Sequence, residues 1–265
     1  MNARAGKPTL SILIPTLNEE KRIGATLKAL ATYLKEHAHD AEVIVVDAMS
    51  SDQTEKVARA ESKHFTSFKF LQTGPGIIKG NNKGKQVRDG IFAARGEYVM
   101  FMDADLATPL KYLEDVYQLI EQKRQVGICI RNLEDSHTGI RKFISTFGNW
   151  LAQTLLVPGI SDTQCGFKAF ERQTAHELFG RQRILGWGFD LEILALARKL
   201  GYSIELIEVP DWKDVVEGSK ISSGSKLKSI KVALQVFFDL ITIKLGLLTG
   251  KYKKTHFRYE PYKTQ

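Results

Sequence analysis

The sequence predicts an α/β fold built on a doubly wound, mostly parallel sheet. Three observations carry this expectation. Short apolar, β-prone runs alternate with amphipathic helical stretches through the first half of the chain, and this order favours parallel strands joined by helical crossovers. The chain has 265 residues and is 43% hydrophobic, enough for one large domain or one domain with an appendage. Acidic residues close two of the apolar runs, at Asp47 and Asp103, the strand edge where open α/β sheets bind ligands.

In order, Leu10 to Ile14 reads as the first strand and Asn18 to His37 as a helix with a stripe of Ile23, Leu27, Leu30 and Leu34. Glu42 to Val46 is the second strand, Asp52 to Ser62 a helix and Phe68 to Gln72 a short third strand. A Gly/Lys-rich loop spans Gly74 to Lys85 and enters a helix that runs to about Ala94. Glu97 to Met102 is the fourth strand, Pro109 to Gln122 a helix and Val126 to Ile130 the fifth strand. The second half changes character. It reads as a helix (Ile140 to Leu155), a loop (Val157 to Lys168), a short helix (Arg172 to Phe179), a helix (Phe189 to Leu200), a strand (Ser203 to Val209) and a long apolar stretch (Ser225 to Leu248). A main domain over 8–222 and a C-terminal amphipathic helix with a basic tail over 223–265 are expected. No internal repeat or low-complexity tract is evident.

The net charge of +8 and a pI near 9.3 suit nucleic acid, anionic lipid or phosphorylated substrates without choosing among them. Cys129 and Cys165 are the only cysteines, too few for a disulfide framework, so a reducing compartment is expected. Neither belongs to a C-x-x-C pair, so a zinc site is not expected. No N-terminal signal segment and no apolar run of about 18 residues is found, so a spanning helix is not expected.

Tyr98-Val99-Met100-Phe101-Met102 followed by Asp103-Ala104-Asp105 is the most informative stretch. Two carboxylates at a buried strand's end repel unless a cation joins them. A divalent ion held by one or two carboxylates plus substrate phosphates is one solution. A solvated turn capping the following helix is the other reading. Pro15 to Glu20 stands where a dinucleotide-binding enzyme would carry G-x-G-x-x-G, and that motif is absent. Asn18 and Glu19 can cap a helix, wall a nucleoside, or both. Asp47 can accept hydrogen bonds from a base or ribose, or simply close a turn. Gly80 to Lys85 resembles a Walker A loop with one residue too few between its glycines, and Gln86 replaces the Ser/Thr. What remains is a basic loop with Lys83, Lys85 and Arg88 at a helix N-terminus, suited to a pyrophosphate. Asp190 and Glu192 at the start of a helix compensate its dipole.

In 225–248, Lys228, Lys231, Gln235, Asp239 and Thr242 form a narrow polar face. Ile230, Leu234, Phe237, Phe238, Ile241, Leu245 and Leu248 form a wide apolar one. Such a helix can pack in a core or lie in a membrane interface. Ile140 to Leu155 divides similarly, with Phe143, Phe147, Trp150 and Leu151 opposite Lys142, Ser145, Asn149 and Gln153. The tail interleaves Lys251, Lys253, Lys254 and Arg258 with Tyr252, Phe257 and Tyr259, a composition that fits anionic headgroups.

In order, Ile14 to Glu19, Val45-Val46-Asp47, Asn82 to Lys85 with Arg88, Asp103-Ala104-Asp105, Arg131, Asp162 to Lys168, Phe189 to Glu192 and Gly218-Ser219-Lys220 resemble glycosyltransferases of family 2 with the GT-A fold. Within that family the likeness is to the polyprenyl-phosphate sugar transferases, the dolichyl-phosphate β-glucosyltransferases above all, and it covers roughly residues 8 to 250. The resemblance implies a Rossmann-like GT-A sheet and inverting transfer of a hexose from a nucleoside-diphosphate sugar to a polyprenyl or dolichyl phosphate. It further implies Mg2+ or Mn2+ and a cytoplasmic, peripherally membrane-associated protein, with no nucleic-acid partner. Carried over by position, Pro15, Glu19, Asp47, Lys85, Arg88, Asp103 and Ala104 bind the donor. Asp105 and Asp103 hold the metal, and Asp103, Asp105 and Asp190 are the catalytic candidates. Arg131, Arg141, Lys168 and Lys220 are the candidates to grip the acceptor phosphate or the donor diphosphate. Mannosyl enzymes of this branch often carry Gln at the position of Ala107 and Ser-Gly-Phe-Arg at Cys165-Gly166-Phe167-Lys168; both departures point to glucose and UDP-glucose rather than GDP-mannose. The eukaryotic glucosyl enzymes carry an N-terminal membrane anchor for which this sequence shows no counterpart. A family 2 transferase acting on a glycan hydroxyl is the alternative, and would need a true general base. A nucleic-acid binder would explain the charge but not the acids at the ligand edge.

Overall fold

A computed structural model describes residues 7–74, 82–131, 140–212 and 226–253. Among these, seven strands form one sheet in the order β3-β2-β1-β4-β6-β5-β7. They are β1 (Leu10–Thr16), β2 (Ala41–Asp47), β3 (Phe68–Gln72), β4 (Tyr98–Met102), β5 (Val126–Arg131), β6 (Phe167–Glu171) and β7 (Ile204–Val209). The helices are α1 (Ile23–Glu36), α2 (Thr54–Glu61), α3 (Lys83–Ala93), α4 (Leu113–Glu121), α5 (Ile140–Leu155), α6 (Arg172–Phe179), α7 (Phe189–Lys199) and α8 (Lys226–Leu248).

β1, β2, β3 and β4 are mutually parallel, and β5 is parallel to β7. β6 is antiparallel to both β4 and β5. The sheet is therefore mixed and mostly parallel. β6 is the one strand absent from the sequence expectation, which placed a loop up to Lys168. Its first four residues, Phe167 to Phe170, are all buried, so the strand shows no alternation of apolar and polar positions.

Central strands β1, β2 and β4 are buried almost end to end, as parallel strands covered on both faces require. One core layer joins Leu13, Ile44, Phe101 and Phe170 to α3, α6 and α7. The other joins Ile12, Val43 and Met100 to α1, α2 and α4. α8 is anchored to the first layer through Leu240 and Ile243, and Tyr252 just beyond it is buried there too. No described helix is long and apolar enough to cross a membrane.

Candidate active site

The loops after β1, β2 and β4 each contain a non-glycine residue in the left-handed region: Asn18 (φ 54°), Met49 (φ 58°) and Leu106 (φ 55°). Such conformations persist where surrounding bonds over-determine them. At Asn18 the side-chain carbonyl accepts the Ser51 N–H at 2.8 Å and its own N–H donates to Ser50 Oγ at 2.7 Å. This stitching of the β1 and β2 loops explains why α1 starts at Ile23 rather than at Asn18. Asp47 closes the same seam. Its carboxylate accepts Thr16 Oγ1 at 3.0 Å, the Ser50 N–H at 2.8 Å and Ser50 Oγ at 2.5 Å. Gln86 on α3 donates to both Thr16 O and Val46 O at 2.7 Å, pinning α3 across the ends of β1 and β2. Pro15 lies past Leu13, the last β1 residue paired with β4, so its missing N–H breaks no bond to that strand. The Glu19 N–H donates to Thr54 Oγ1 at 2.8 Å, and its carboxylate holds Arg22 at 2.6 Å.

The acidic turn leaves β4 between α1 and the loop before β6. Ala104 is buried and its carbonyl accepts Thr26 Oγ1 at 2.6 Å, while the Asp103 N–H donates to Gly166 O at 3.1 Å. A side chain at position 166 would collide with the Asp103 carboxylate, so glycine is what lets the two loops close on each other. The Asp105 carboxylate accepts the Ala107 N–H at 3.1 Å. Burial pushes the Asp105 carboxyl above the usual range, and Asp103 beside it adds to the rise. Two hard oxygen donors in mutual repulsion at a sheet edge fit a divalent cation such as Mg2+ or Mn2+, which takes one or two carboxylates and completes its shell with water and phosphate.

Lys83, the first residue of α3, places Nζ 2.6 Å from Asp103 Oδ1 and 5.4 Å above the Trp187 ring. Burial opposes its charge, but Asp103, Asp190 and Asp105 outweigh burial and hold the ammonium above the ordinary lysine range. Lys85, the residue carried over to the donor side, instead directs Nζ to Asp89 at 2.6 Å along the same helix. Arg88 is mostly covered, and burial lowers its pKa. Among the described residues of this segment, Lys83 is thus the cation that reaches the acids. Its position at the start of α3, one turn ahead of Gln86, is the signal that separates it from Lys85.

Behind the acids lie two further pairs. Lys168 on β6 is 1% exposed; Nζ lies 2.6 Å from Asp190 Oδ1 and donates to the Cys165 carbonyl. An open ammonium for a substrate phosphate is therefore not what the fold provides at Lys168. Burial drives the Asp190 carboxyl up, against the pull of Lys168 and Lys83. Arg131 at the end of β5 grips Asp162 with both arms of its fork, at 2.5 and 2.9 Å, and stacks 4.9 Å from Trp212. The Arg131 and Gln164 N–H groups complete the Asp162 shell at 3.2 and 3.0 Å. The Arg131 charge is also felt by Asp103. Lys220 lies outside the described residues, and Arg141 lies on α5 with its side chain outside them. Cys129 and Cys165 are free and buried, and burial raises both thiols.

The model of glycosyl transferase family 2 matches residues 11–179. The chain is 35% identical over 260 residues to the dolichyl-phosphate β-glucosyltransferase of Mus musculus, covering 92% of this chain and 77% of that one. It is 32% identical over 262 residues to the enzyme of that name from Dictyostelium discoideum, covering 92% and 76%. Among solved structures, glucosyl-3-phosphoglycerate synthase from Mycobacterium tuberculosis, in complex with Mn2+, UDP-glucose and phosphoglyceric acid, superposes with a TM-score of 0.63 at 21% identity. That match covers 89% of this chain and 80% of that one, and shows that the two share the GT-A fold. Sheet order, acidic strand end and family match together make this chain a glycosyltransferase belonging to glycosyl transferase family 2.

Proposed function

We propose that the protein transfers glucose, with inversion, from UDP-glucose to a dolichyl or other polyprenyl phosphate. The observation that carries this reading is the Asp103–Asp105 turn at the end of β4, with Lys83 already on Asp103, in a chain alike over 92% of its length to dolichyl-phosphate β-glucosyltransferases. Asp47 and Glu19 suit the nucleoside, since both are held in fixed orientations by the β1–β2 seam. Asp103 and Asp105 would hold Mg2+ or Mn2+, which when bound offsets the charge of the departing diphosphate. Lys83 suits the same diphosphate once it leaves Asp103. Asp190, fixed by Lys168, orients the sugar side of the site. The acceptor phosphate has a second pKa of about 6 and is largely dianionic near neutral pH, so it attacks without a strong general base. Arg141 and Lys220 remain the proposed contacts for that anion, and Arg131, held on Asp162, acts on it through its charge at a distance.

The exposed face of α8 supports a peripheral place on a membrane, with residues 223–265 as the contact segment. Phe237, Phe238, Ile241, Leu245 and Leu248 are exposed, and Trp150 on α5 is 56% exposed. An apolar face of this width beside lysines lies well in a lipid interface. The free, buried thiols suit the cytoplasmic side.

The test is a donor screen with UDP-glucose and GDP-mannose, dolichyl phosphate and Mn2+ or Mg2+, reading the glycolipid formed. UDP-glucose is expected to be the productive donor. Asp105→Asn is expected to lower transfer at least ~100-fold, the order set by losing several kcal/mol of charge stabilisation. Preference for GDP-mannose, or transfer only to a glycan hydroxyl, would reject the reading. In vesicle sedimentation, Phe238→Glu combined with Leu245→Glu is expected to weaken binding to anionic vesicles about tenfold or more, since each change removes part of a side-chain burial worth ~1.5–3 kcal/mol.

A further inference from the structure

At the end of the sheet opposite Asp103 and Asp105, α1 stops, β2 begins, and α4 packs beside both. His37 caps α1, His39 precedes β2 and Glu114 lies in the first turn of α4. His37 Nδ1 is 3.1 Å and His39 Nε2 is 2.8 Å from the same oxygen, Glu114 Oε1. Tyr33 donates its hydroxyl to that oxygen as well, at 2.9 Å. Three groups thus converge on one carboxylate oxygen, more than its two lone pairs can serve. A cation sharing the space would relieve that crowding.

The rings are held for ligation. Tyr33, His37, His39 and Tyr117 form a ladder, with Tyr33 and His37 centroids 4.2 Å apart, His37 and His39 5.7 Å, and His39 and Tyr117 3.7 Å, each pair near parallel. The ligand atoms of His37, His39 and Glu114 all lie within 4.8 Å of one another. Four-coordinate zinc, with bonds of about 2.0–2.2 Å, spaces its ligand atoms about 3.3 Å apart, so side-chain adjustments of about 1 Å would complete the set. His39 is 14% exposed, while His37 and Glu114 are 42% and 43% exposed, which leaves the outer side of the cluster open to an entering ion and a water.

We propose that His37, His39 and Glu114 bind one Zn2+, with Tyr33 or water in the fourth position, as a structural site that ties α1 and α4 to the start of β2. Two imidazoles and one carboxylate select zinc over Mg2+ and Mn2+, which prefer all-oxygen shells. The site is separate from the acidic turn and owes nothing to the transfer reaction.

The test uses the full chain carrying Asp103→Asn and Asp105→Asn, so that the acidic turn takes no metal. After chelation and Zn2+ reloading, gel filtration with metal analysis is expected to find about one Zn2+ per chain. Mg2+ in excess should not displace it, and Co2+ substitution should give the visible bands of a four-coordinate site. Adding His39→Ala or Glu114→Gln is expected to weaken binding by at least ~100-fold, and to abolish the rise in Tm that Zn2+ produces in the parent chain. Failure to retain zinc, or equal retention in both variants, overturns the proposal and leaves a cluster held by protons alone. Circular dichroism checks that each variant folds. Should Glu114→Gln not fold, His37→Ala, at the exposed helix cap, decides by the same two readings.

Discussion

Two acid–base pairs flank the loop that leads into β6, and burial acts on them with opposite results. Asp162 is held below the usual carboxylate range although burial would raise it, because the Arg131 fork and two backbone N–H groups supply enough donors. Asp190 is driven above that range, because burial outweighs Lys168 and Lys83. Donor count decides the difference: a guanidinium meets a carboxylate with two parallel bonds, an ammonium with one. Arg131–Asp162 is therefore a fixed clamp, whereas Lys168–Asp190 is a pair whose charge state answers to its surroundings, including the Lys83–Asp103 contact in front of it.

The clamp should be the more costly to break. Arg131→Ala leaves a carboxylate 2% exposed with no cation, and is expected to cost about 3–5 kcal/mol in urea unfolding. Arg131→Lys should recover only part, since one ammonium cannot make both bonds. The pH dependence follows from the lowered carboxyl. Asp162 contributes stability above its unfolded pKa of about 3.9, and that contribution is lost as pH falls through its lower folded value. In Asp162→Asn this acid-side loss should vanish. A variant as stable as the parent would show that the loop gains nothing from the clamp.

Lys168→Met should cost less, about 1–3 kcal/mol, because Asp190 can take up a proton instead of remaining a bare buried charge. Here the sign reverses. A raised carboxyl adds stability that is full below its unfolded pKa and lost as pH rises through the folded value. Without Lys168 to oppose the rise, the loss should move to higher pH, so the variant should fall furthest behind the parent in alkaline buffer. Equal deficits at pH 5 and pH 8 would show that Asp190 does not take the proton.

How much of this was legible in the sequence follows the same divide. β1 to β5 and β7 announce themselves as β-prone runs, and the acids after β4 are readable as a ligand edge because a strand must end there. β6 is not readable as a strand: with all of Phe167 to Phe170 buried it lacks alternation, and no local signal reports that it runs antiparallel between β4 and β5. Lys168 illustrates the same blindness. From the resemblance Lys168 is a candidate to grip a phosphate, and only the sheet reveals it as buried. The choice of Lys83 over Lys85 depends on helix phase and on Asp89, which takes Lys85 within α3. The α8 sequence left core and interface open. The fold uses Leu240 and Ile243 for the core and leaves Phe237, Phe238, Ile241, Leu245 and Leu248 outside.

A third buried carboxylate, at the far end of the sheet, separates burial from donor count. Glu42 on β2 accepts Ser11 Oγ at 2.6 Å, the Arg95 N–H at 2.5 Å and Arg95 Nε at 3.1 Å. Burial would raise its carboxyl, but these donors win and lower it, as at Asp162. Unlike Arg131, the Arg95 side chain is 63% exposed, so water screens its charge and can replace it. Arg95→Ala keeps the backbone N–H and the Ser11 hydroxyl, and is expected to cost about 1 kcal/mol or less. Ser11→Ala removes a wholly buried donor and should cost more, about 1–3 kcal/mol. If urea unfolding instead ranks Arg95→Ala above Ser11→Ala, the guanidinium charge and not the buried donor holds Glu42. The contrast drawn between the two pairs beside β6 would then have to rest on charge as well.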